Sequence, residues 1–269
     1  MPRSEWSRLD GLDTEGLQQV FWYHDAQTDD AALTAAVMRS AQSLGAELAL
    51  PARCSGATLT ADGVQVHYLL DGVEQQCRAR VLVNAGGPWA SALARLVQPQ
   101  IAVPKLELVK GTHLVLDGAL QAGIYYVESP HDGRAIFMMP WYGRLMVGTT
   151  EVPFHGDPAA VAPDQHEVDY LLGVLRHYFP RYRKPEAARL EDAFAGLRVL
   201  PADGGRAFNR SRETLLMPDR PQQPRLLSIY GGKLTTWRAV SERALAQIAP
   251  SLPQRRATAR TDALELRTA

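Results

Sequence analysis

The sequence has few cysteines, no excess of either charge and no long apolar run, and each absence excludes a class of protein. Its two cysteines, Cys54 and Cys77, are too few for a disulfide framework and lack metal-site spacing, which favours a reducing, cytoplasmic setting. Lys plus Arg and Asp plus Glu number 29 each, so no overall field would recruit nucleic acid. Apolar runs such as 81–83 are too short to span a bilayer, although peripheral membrane attachment stays open.

What the sequence does contain is two strand–glycine–helix units on either side of a β-rich middle. Strands are predicted from short apolar runs bounded by turn residues, at 46–50, 57–60, 64–70, 74–80, 81–84, 112–116, 135–139, 145–147, 193–200 and 226–230. Helices are predicted from apolar spacing at 29–44, 89–97, 165–178 and 236–248. A sheet whose strands run into glycine turns and helices is typical of an α/β layer that binds a nucleotide.

The order of these elements predicts how the chain divides into domains. We expect a mixed α/β fold, in which part of a nucleotide-binding layer carries an inserted antiparallel β-rich domain. Residues 1–97 and 220–250 would form the nucleotide-binding layer, and residues 98–219 the inserted domain that binds the substrate. Residues 251–269 lack apolar periodicity, so we expect them to form a disordered tail.

Two glycine-bearing turns are candidate ligand sites. The first, Asn84-Ala85-Gly86-Gly87, follows a buried strand, where small residues let a ligand approach the backbone and the next helix offers free N–H groups. The second, Gly231-Gly232-Lys233-Leu234-Thr235, adds a cation but lacks the spacing of a P-loop. The alternative for both is a plain strand-to-helix turn, with Lys233 in solvent.

Two arginines and a histidine are the candidates for binding an anion and transforming it. Arg198 lies in an apolar strand, where an unpaired guanidinium is costly. It should therefore bind a phosphate or carboxylate, or form an internal ion pair with Glu191 or Asp192. Arg212 is either a second clamp or part of a solvated charge cluster. His113 can accept a hydroxyl proton near neutral pH, or serve as a hydrogen-bonded structural histidine.

Taken in order, these segments resemble the flavin-dependent glycerol-3-phosphate dehydrogenases, within the amino-acid oxidase-like flavoprotein group. The resemblance covers residues 9–250. It is carried by the segments 23–31, 83–89, 110–113, 139–143, 148–151, 195–198, 211–212 and 231–236. The Lys-Gly-Thr-His and Gly-Gly-Lys-Leu-Thr-Thr segments favour this family over its amine-oxidising relatives.

The resemblance implies FAD as cofactor and oxidation of sn-glycerol 3-phosphate to dihydroxyacetone phosphate. A hydride would pass from C2 to the flavin, and the electrons on to quinone at the inner face of the cell membrane. By analogy, Arg198 and Arg212 hold the phosphate, Lys233 lies beside the flavin and the substrate, and His113 is the base. The turns 84–87 and 231–235 would line the FAD.

The sequence also departs from the family pattern. It contains no G-x-G-x-x-G motif for the FAD pyrophosphate, and the C-terminal helical domain expected of the family is missing. We therefore expect a fragment that binds FAD poorly and turns over little by itself. Unpaired sheet edges would favour its self-association. Smaller departures are Ala32 for arginine, Val199 for proline and Glu151 for aspartate; Glu151 ends a predicted turn, Gly148-Thr149-Thr150-Glu151.

Two other interpretations stay open. The chain could be a fragment of a flavin-dependent amino-acid or 2-hydroxyacid oxidase, in which case Arg198 would bind a carboxylate instead of a phosphate. It could also be a non-catalytic module that binds a small anion or a partner chain. Competition between phosphorylated and carboxylated ligands separates the two enzymes, and a mass measurement in solution reveals association with a partner.

Overall fold

A computed structural model describes residues 1–184, 187, 189–202 and 213–266 and confirms a mixed α/β fold. The helices are α1 (Asp30–Ser43), α2 (Ala90–Arg95), α3 (Gln165–Tyr178) and α4 (Trp237–Ile248). The strands are β1 (Ala52–Leu59), β2 (Val64–Leu70), β3 (Val73–Ala79), β4 (Leu82–Asn84), β5 (Val97–Gln98), β6 (Leu106–Leu116), β7 (Tyr125–Glu128), β8 (Ala135–Trp141), β9 (Arg144–Gly148), β10 (Val152–Phe154), β11 (Leu190–Pro201), β12 (Leu215–Pro218) and β13 (Leu226–Tyr230). The described residues form two compact units.

The first unit contains residues 1–25 and the described part of 107–198. Its sheet has the order β10-β6-β9-β8-β7, with β11 also pairing with β6, and every pairing along that order is antiparallel. Helix α3 covers one face of this sheet. Its apolar residues recur at helical spacing, so Leu171, Val174 and Leu175 are fully buried against side chains such as Leu114 and Val147. Each such burial contributes about 1.5–3 kcal/mol.

Asp10 connects the N-terminal segment to the rest of the first unit by hydrogen bonds. Its carboxylate accepts hydrogen bonds from the backbone N–H groups of Gln121 (2.9 Å) and Ala122 (2.9 Å) and from the Tyr125 hydroxyl (2.8 Å). Burial alone would raise the pKa of Asp10, but these bonds and the charge of Arg181 lower it below its ordinary value. The predicted nucleotide-binding layer includes residues 1–25 together with 26–97, whereas these contacts join residues 1–25 to the chain around residue 122.

The second unit contains residues 26–106 and the described part of 199–269, and it is built in three layers. One layer is a sheet of order β3-β2-β1-β5, the next is a sheet of order β12-β13-β4, and α4 forms the third. The sheet that contains β13 is the middle layer, and neighbouring side chains of β13 point to the two opposite faces of that sheet. Leu226 packs with Ala57 and Val64 of the first sheet, while Leu227 packs with Ala244 of α4.

Most predicted elements are confirmed, and two are wrong in an informative way. Helix α3 and strand β13 have the predicted bounds. The predicted strand at 46–50 is absent from the described chain: no strand pairs with this segment, and Leu50 is 70% exposed. The predicted helix 89–97 ends early, at Arg95, because Val97 enters β5 and pairs with Ala57.

Candidate functional site

The two predicted glycine turns lie side by side in the second unit. Strands β4 and β13 pair in parallel, with Asn84 opposite Ser228, so their carboxyl ends meet at one edge of the sheet. The turn 84–87 leaves β4 at this edge, and the turn 231–235 leaves β13. Ligands of open α/β sheets bind beyond the carboxyl ends of the strands. The sequence therefore placed both candidate turns on the edge where such a ligand is expected.

The first turn is held in shape by Asn84. Its buried side chain donates to the carbonyl of Ala90 (2.8 Å), and its Oδ1 accepts from the N–H of Gly86 (3.2 Å). A side chain at Gly86 would force Leu93 to move, because the added Cβ would lie 2.5 Å from Leu93 Cδ1. Gly87 differs, since a Cβ there would meet nothing within 4 Å. Asn84 thus shapes the turn from inside, and Gly87 borders open space.

The second turn needs glycine for its backbone. Gly231 and Gly232 have φ angles of +71° and +97°, in the left-handed region that side chains disfavour. A Cβ on Gly232 would also lie 2.6 Å from Thr214 Oγ1. Lys233, Leu234 and Thr235 follow, all exposed, and lead into α4. Within the described residues the Lys233 ammonium makes no ion pair, so this edge presents a cation beside the N–H groups of a helix start.

In the first unit, His113 lies on the sheet face opposite α3. Its neighbours Thr112 and Leu114 are fully buried, and Leu114 packs in one cluster with residues of α3, so the alternation of β6 turns His113 the other way. The imidazole stacks on Phe194, with ring centroids 5.1 Å apart and planes at 11°. It also lies over Gly148, where a Cβ would be 2.2 Å from His113 Cδ2. Gly148 and Phe194 therefore fix the position of this ring.

Arg198 shares that face, and its ion-pair partner is not the one predicted. Because side chains alternate along a strand, Arg198 points to the same side of β11 as Phe194. Its Nη1 donates to Glu151 Oε1 at 2.8 Å, and the Glu151 side chain is 8% exposed. Of the two predicted partners, Glu191 and Asp192, Glu191 instead pairs with Arg144 and Arg189. Arg198 itself is 30% exposed, so its guanidinium is oriented by a carboxylate and still reaches solvent.

A buried polar network that is not among the predicted site residues holds the turn before Glu151. The Thr150 hydroxyl donates to Glu167 (2.6 Å) and accepts from the N–H of Thr112 (2.9 Å). Glu167 in turn pairs with Lys110 at 2.7 Å, and their side chains are 4% and 9% exposed. Glu167 is also the third residue of α3 and closes the capping box that starts at Asp164, and this sequence signature could have pointed to it.

The predicted site residues fall in both units. His113 and Arg198 belong to the first, and Asn84–Gly87 with Gly231–Thr235 belong to the second. Arg212, the second proposed clamp, lies outside the described residues. Among the described residues, no group of three or more His, Cys, Asp or Glu side chains could hold a metal ion. No helix in that part of the chain has the length and apolarity needed to cross a membrane.

Comparison with known proteins gives a consistent picture. The family model described as FAD dependent oxidoreductase matches residues 1–236. A glycerol-3-phosphate dehydrogenase of Pseudomonas aeruginosa is 34% identical over 242 residues, which are 87% of this chain and 46% of that protein. A D-erythritol 1-phosphate dehydrogenase of Brucella abortus is 31% identical over 241 residues, 87% of this chain and 47% of that protein.

A solved structure gives the same result at the level of the fold. The glycerol-3-phosphate dehydrogenase of Bacillus halodurans, determined in complex with FAD, matches with a TM-score of 0.69 and 28% identity. The match covers 83% of this chain and 43% of that one. The chain thus spans about half the length of the relatives that it matches.

Proposed function

Because this chain belongs to the FAD dependent oxidoreductase family, we propose that it is part of a dehydrogenase that oxidises sn-glycerol 3-phosphate to dihydroxyacetone phosphate. One observation carries the proposal: His113 and Arg198 lie on the same face of one sheet, opposite the face that α3 buries. A proton acceptor and a guanidinium on one face suit a phosphorylated secondary alcohol. The relatives named above, for glycerol 3-phosphate and D-erythritol 1-phosphate, support a phosphorylated polyol as substrate class.

The turns of the second unit fit part of FAD. The open space at Gly87 and the exposed residues 233–236 before α4 are suited to a flat, electron-accepting ring with acceptor atoms on its edge. Among the residues that the structure describes, the Lys233 ammonium makes no ion pair, so it can contact that edge. When bound, FAD supplies the acceptor for the hydride that leaves C2 of the alcohol. The pyrophosphate needs further backbone donors, because the sequence contains no G-x-G-x-x-G motif. We therefore expect this chain alone to bind FAD weakly and to turn over little.

Each proposed residue has one task in the reaction. His113 accepts the proton of the C2 hydroxyl while the C2 hydrogen leaves with its electron pair, so that the C–O bond becomes a carbonyl. Arg198 and Arg212 bind the phosphate. Glu151 orients Arg198, but it also offsets much of the charge of that guanidinium. The phosphate charge that Arg198 does not balance is therefore left to Arg212.

The test combines flavin binding with substrate choice. The chain alone is compared with a fusion that adds the G-x-G-x-x-G segment of a relative, and the fusion should show bound-flavin absorbance that glycerol 3-phosphate bleaches. Arg198→Ala in the fusion should raise the KM for glycerol 3-phosphate about 10- to 100-fold, the loss of a charged hydrogen bond. Arg189→Ala, which removes an exposed arginine of the same unit, is the control.

Two outcomes would contradict the proposal. The first is a fusion that carries FAD and oxidises an amino acid or a 2-hydroxyacid, but not glycerol 3-phosphate. The second is an Arg198→Ala variant with unchanged KM, which would remove Arg198 from the site. Gel filtration of the chain alone also tests the expected self-association, since a monomer at all concentrations would argue against open sheet edges.

We further propose that the electrons pass to quinone at the inner face of the cell membrane, to which the protein attaches peripherally from the cytoplasm. Support comes from the family resemblance alone. The fusion should reduce a short-chain ubiquinone analogue faster than it reduces oxygen, and in cells it should sediment with membranes and be released by high salt. Full recovery in the supernatant at low salt would contradict the attachment.

A further inference from the structure

The second unit contains a cavity that the proposed flavin site does not use. Its volume is about 370 Å³, and three arginines, Arg80, Arg220 and Arg225, form part of its wall. Arg80 comes shortly before β4 and Arg225 directly before β13. Because these two strands are parallel, the cavity lies at their amino ends, at the edge opposite the glycine turns. It is therefore a separate place in the same unit, of a size typical of small-molecule sites.

One of the three arginines is locked and neutralised. Asp219, whose side chain is 1% exposed, accepts from Arg225 Nε at 3.0 Å and pairs with Nη2 at 2.9 Å. Arg225 Nη1 donates to the carbonyl of Thr60 at 2.7 Å. The same carboxylate accepts from the backbone N–H groups of residues 225 and 226. Arg225 thus forms a rigid part of the wall, and a buried carboxylate balances its charge.

The other two guanidinium groups keep most of their donors available. Arg220 uses Nε to donate to the carbonyl of Gln223 at 2.7 Å, while its two terminal nitrogens make no hydrogen bond to any described residue. The Arg80 guanidinium makes no hydrogen bond or ion pair to any residue that the structure describes. Gln223 has a φ of +49°, so the turn that positions Arg220 is held in a conformation that costs free energy.

The rest of the wall defines what else the ligand must carry. Asp62 is the one carboxylate among the lining residues, and its Oδ1 accepts from the Thr60 hydroxyl at 3.2 Å. It would repel a second anionic group, but it can accept a hydrogen bond from a ligand hydroxyl. Pro250, Leu252 and Pro253 add an apolar surface. A planar guanidinium with free terminal N–H groups pairs best with phosphate or carboxylate, often through two bonds.

We propose that this cavity binds a phosphate monoester that carries hydroxyl groups, such as a sugar phosphate. Arg80 and Arg220 bind the phosphate, and Asp62 accepts from a hydroxyl. This assignment does not depend on the proposed dehydrogenase activity, because no residue of the flavin turns or of the first unit takes part in it. The competing explanation is that both arginines are only solvated, or that they face the carbonyl groups at the end of α4.

The test titrates the chain with glucose 6-phosphate, and with inorganic phosphate, by calorimetry at constant ionic strength. Arg80→Gln/Arg220→Gln should weaken the binding of glucose 6-phosphate at least about tenfold, as expected for the loss of charge-assisted bonds. The control Arg53→Gln/Arg243→Gln removes the same charge from exposed positions of the same unit and should leave binding unchanged. Asp62→Asn should weaken glucose 6-phosphate more than inorganic phosphate.

A second measurement keeps the proposal testable if the double variant fails to fold. In the unmodified chain, glucose 6-phosphate should slow the reaction of phenylglyoxal with Arg80 and Arg220, but not with Arg53, as followed by peptide mass spectrometry. Equal protection of all three arginines, or of none, would overturn the proposal. So would binding to phosphatidic acid vesicles without binding of soluble phosphate esters, since the ligand would then be a lipid surface.

Discussion

Replacing Lys110 by methionine should destabilise the first unit strongly. The ammonium group contacts Glu167 (2.7 Å), Asp164 (3.0 Å) and the carbonyl of Ala162 (3.1 Å). Methionine fills a similar volume but leaves the Glu167 carboxylate, which is 4% exposed, without its cation. Breaking a buried ion pair on one side costs about 3–5 kcal/mol. That is a large part of the 5–15 kcal/mol, roughly, that stabilises a typical domain.

Urea unfolding, followed by circular dichroism, measures this loss as a shift of the midpoint at constant slope. The double variant Lys110→Met/Glu167→Gln removes the uncompensated charge as well, and it should be about 1–3 kcal/mol more stable than Lys110→Met. The reasoning is refuted if Lys110→Met costs less than about 1 kcal/mol, or if the double variant is the less stable of the two.

The pH dependence provides an independent check on the same cluster. The hydrogen bond from Lys110, followed by that from the N–H of Glu167, lowers the pKa of Asp164 below its ordinary value of 3.8. A carboxyl group whose pKa is lower in the folded than in the unfolded chain stabilises the fold. This contribution is complete above pH 3.8, the ordinary pKa, and is lost as the pH falls through the pKa of the folded state. Burial lowers the pKa of Lys110, but its bonds to Glu167 and Asp164 outweigh that effect and raise it. The difference in the free energy of unfolding between the unmodified chain and Lys110→Met should therefore be constant near neutral pH and become smaller in acid.

Three further substitutions test other parts of the structure. Gly148→Ala places a Cβ 2.2 Å from His113 Cδ2, so the imidazole has to move away from Phe194. The free energy of unfolding should fall by about 1–3 kcal/mol, and the NMR signals of His113 should lose their ring-current shift. Unchanged His113 signals would contradict the stacking. Asp10→Asn keeps the side-chain shape but loses the charge that three donors share. Thermal unfolding should show that the free energy of unfolding falls by about 1–2 kcal/mol. The pKa of Tyr125, which burial and Asp10 raise in the unmodified chain, should fall as well. Asn84→Ala leaves the buried carbonyl of Ala90 without its donor at 2.8 Å. We expect the free energy of unfolding to fall by about 1–3 kcal/mol and FAD binding to become weaker still. A variant as stable as the unmodified chain would show that the turn does not depend on Asn84.

Much of the fold could be predicted because local signals and tertiary packing agree. In α3, an aspartate–glutamate capping box, apolar spacing and a following proline all indicate the same bounds. In β13, an apolar run before two glycines predicts a buried strand. The segment 46–50 has a similar apolar pattern, but the described chain contains no strand beside it. A strand needs a partner as well as a pattern, and a single local stretch does not reveal that partner.

The residues of the site were easier to predict than their partners. His113, Arg198 and Lys233 are recognisable in the sequence because their chemistry contrasts with apolar or glycine-rich surroundings. The sequence suggests a nearby ion-pair partner for Arg198, Glu191 or Asp192, yet the structure provides Glu151, which is 47 residues away. Pairing between strands brings such residues together, and it is set by register across the sheet. A local search could not find it.

The parallel pairing of β4 with β13 also constrains how the second unit can form during synthesis. Its two halves meet where Leu82 pairs with Leu226, and the described part of 107–198 between them belongs to the other unit. A growing chain therefore exposes the edge of β4 until some 140 further residues have left the ribosome. During that interval the apolar side chains of the first-made half have no β13 to cover them. We therefore expect a translational pause before residue 226 to prolong this exposure and to favour aggregation of the first-made half.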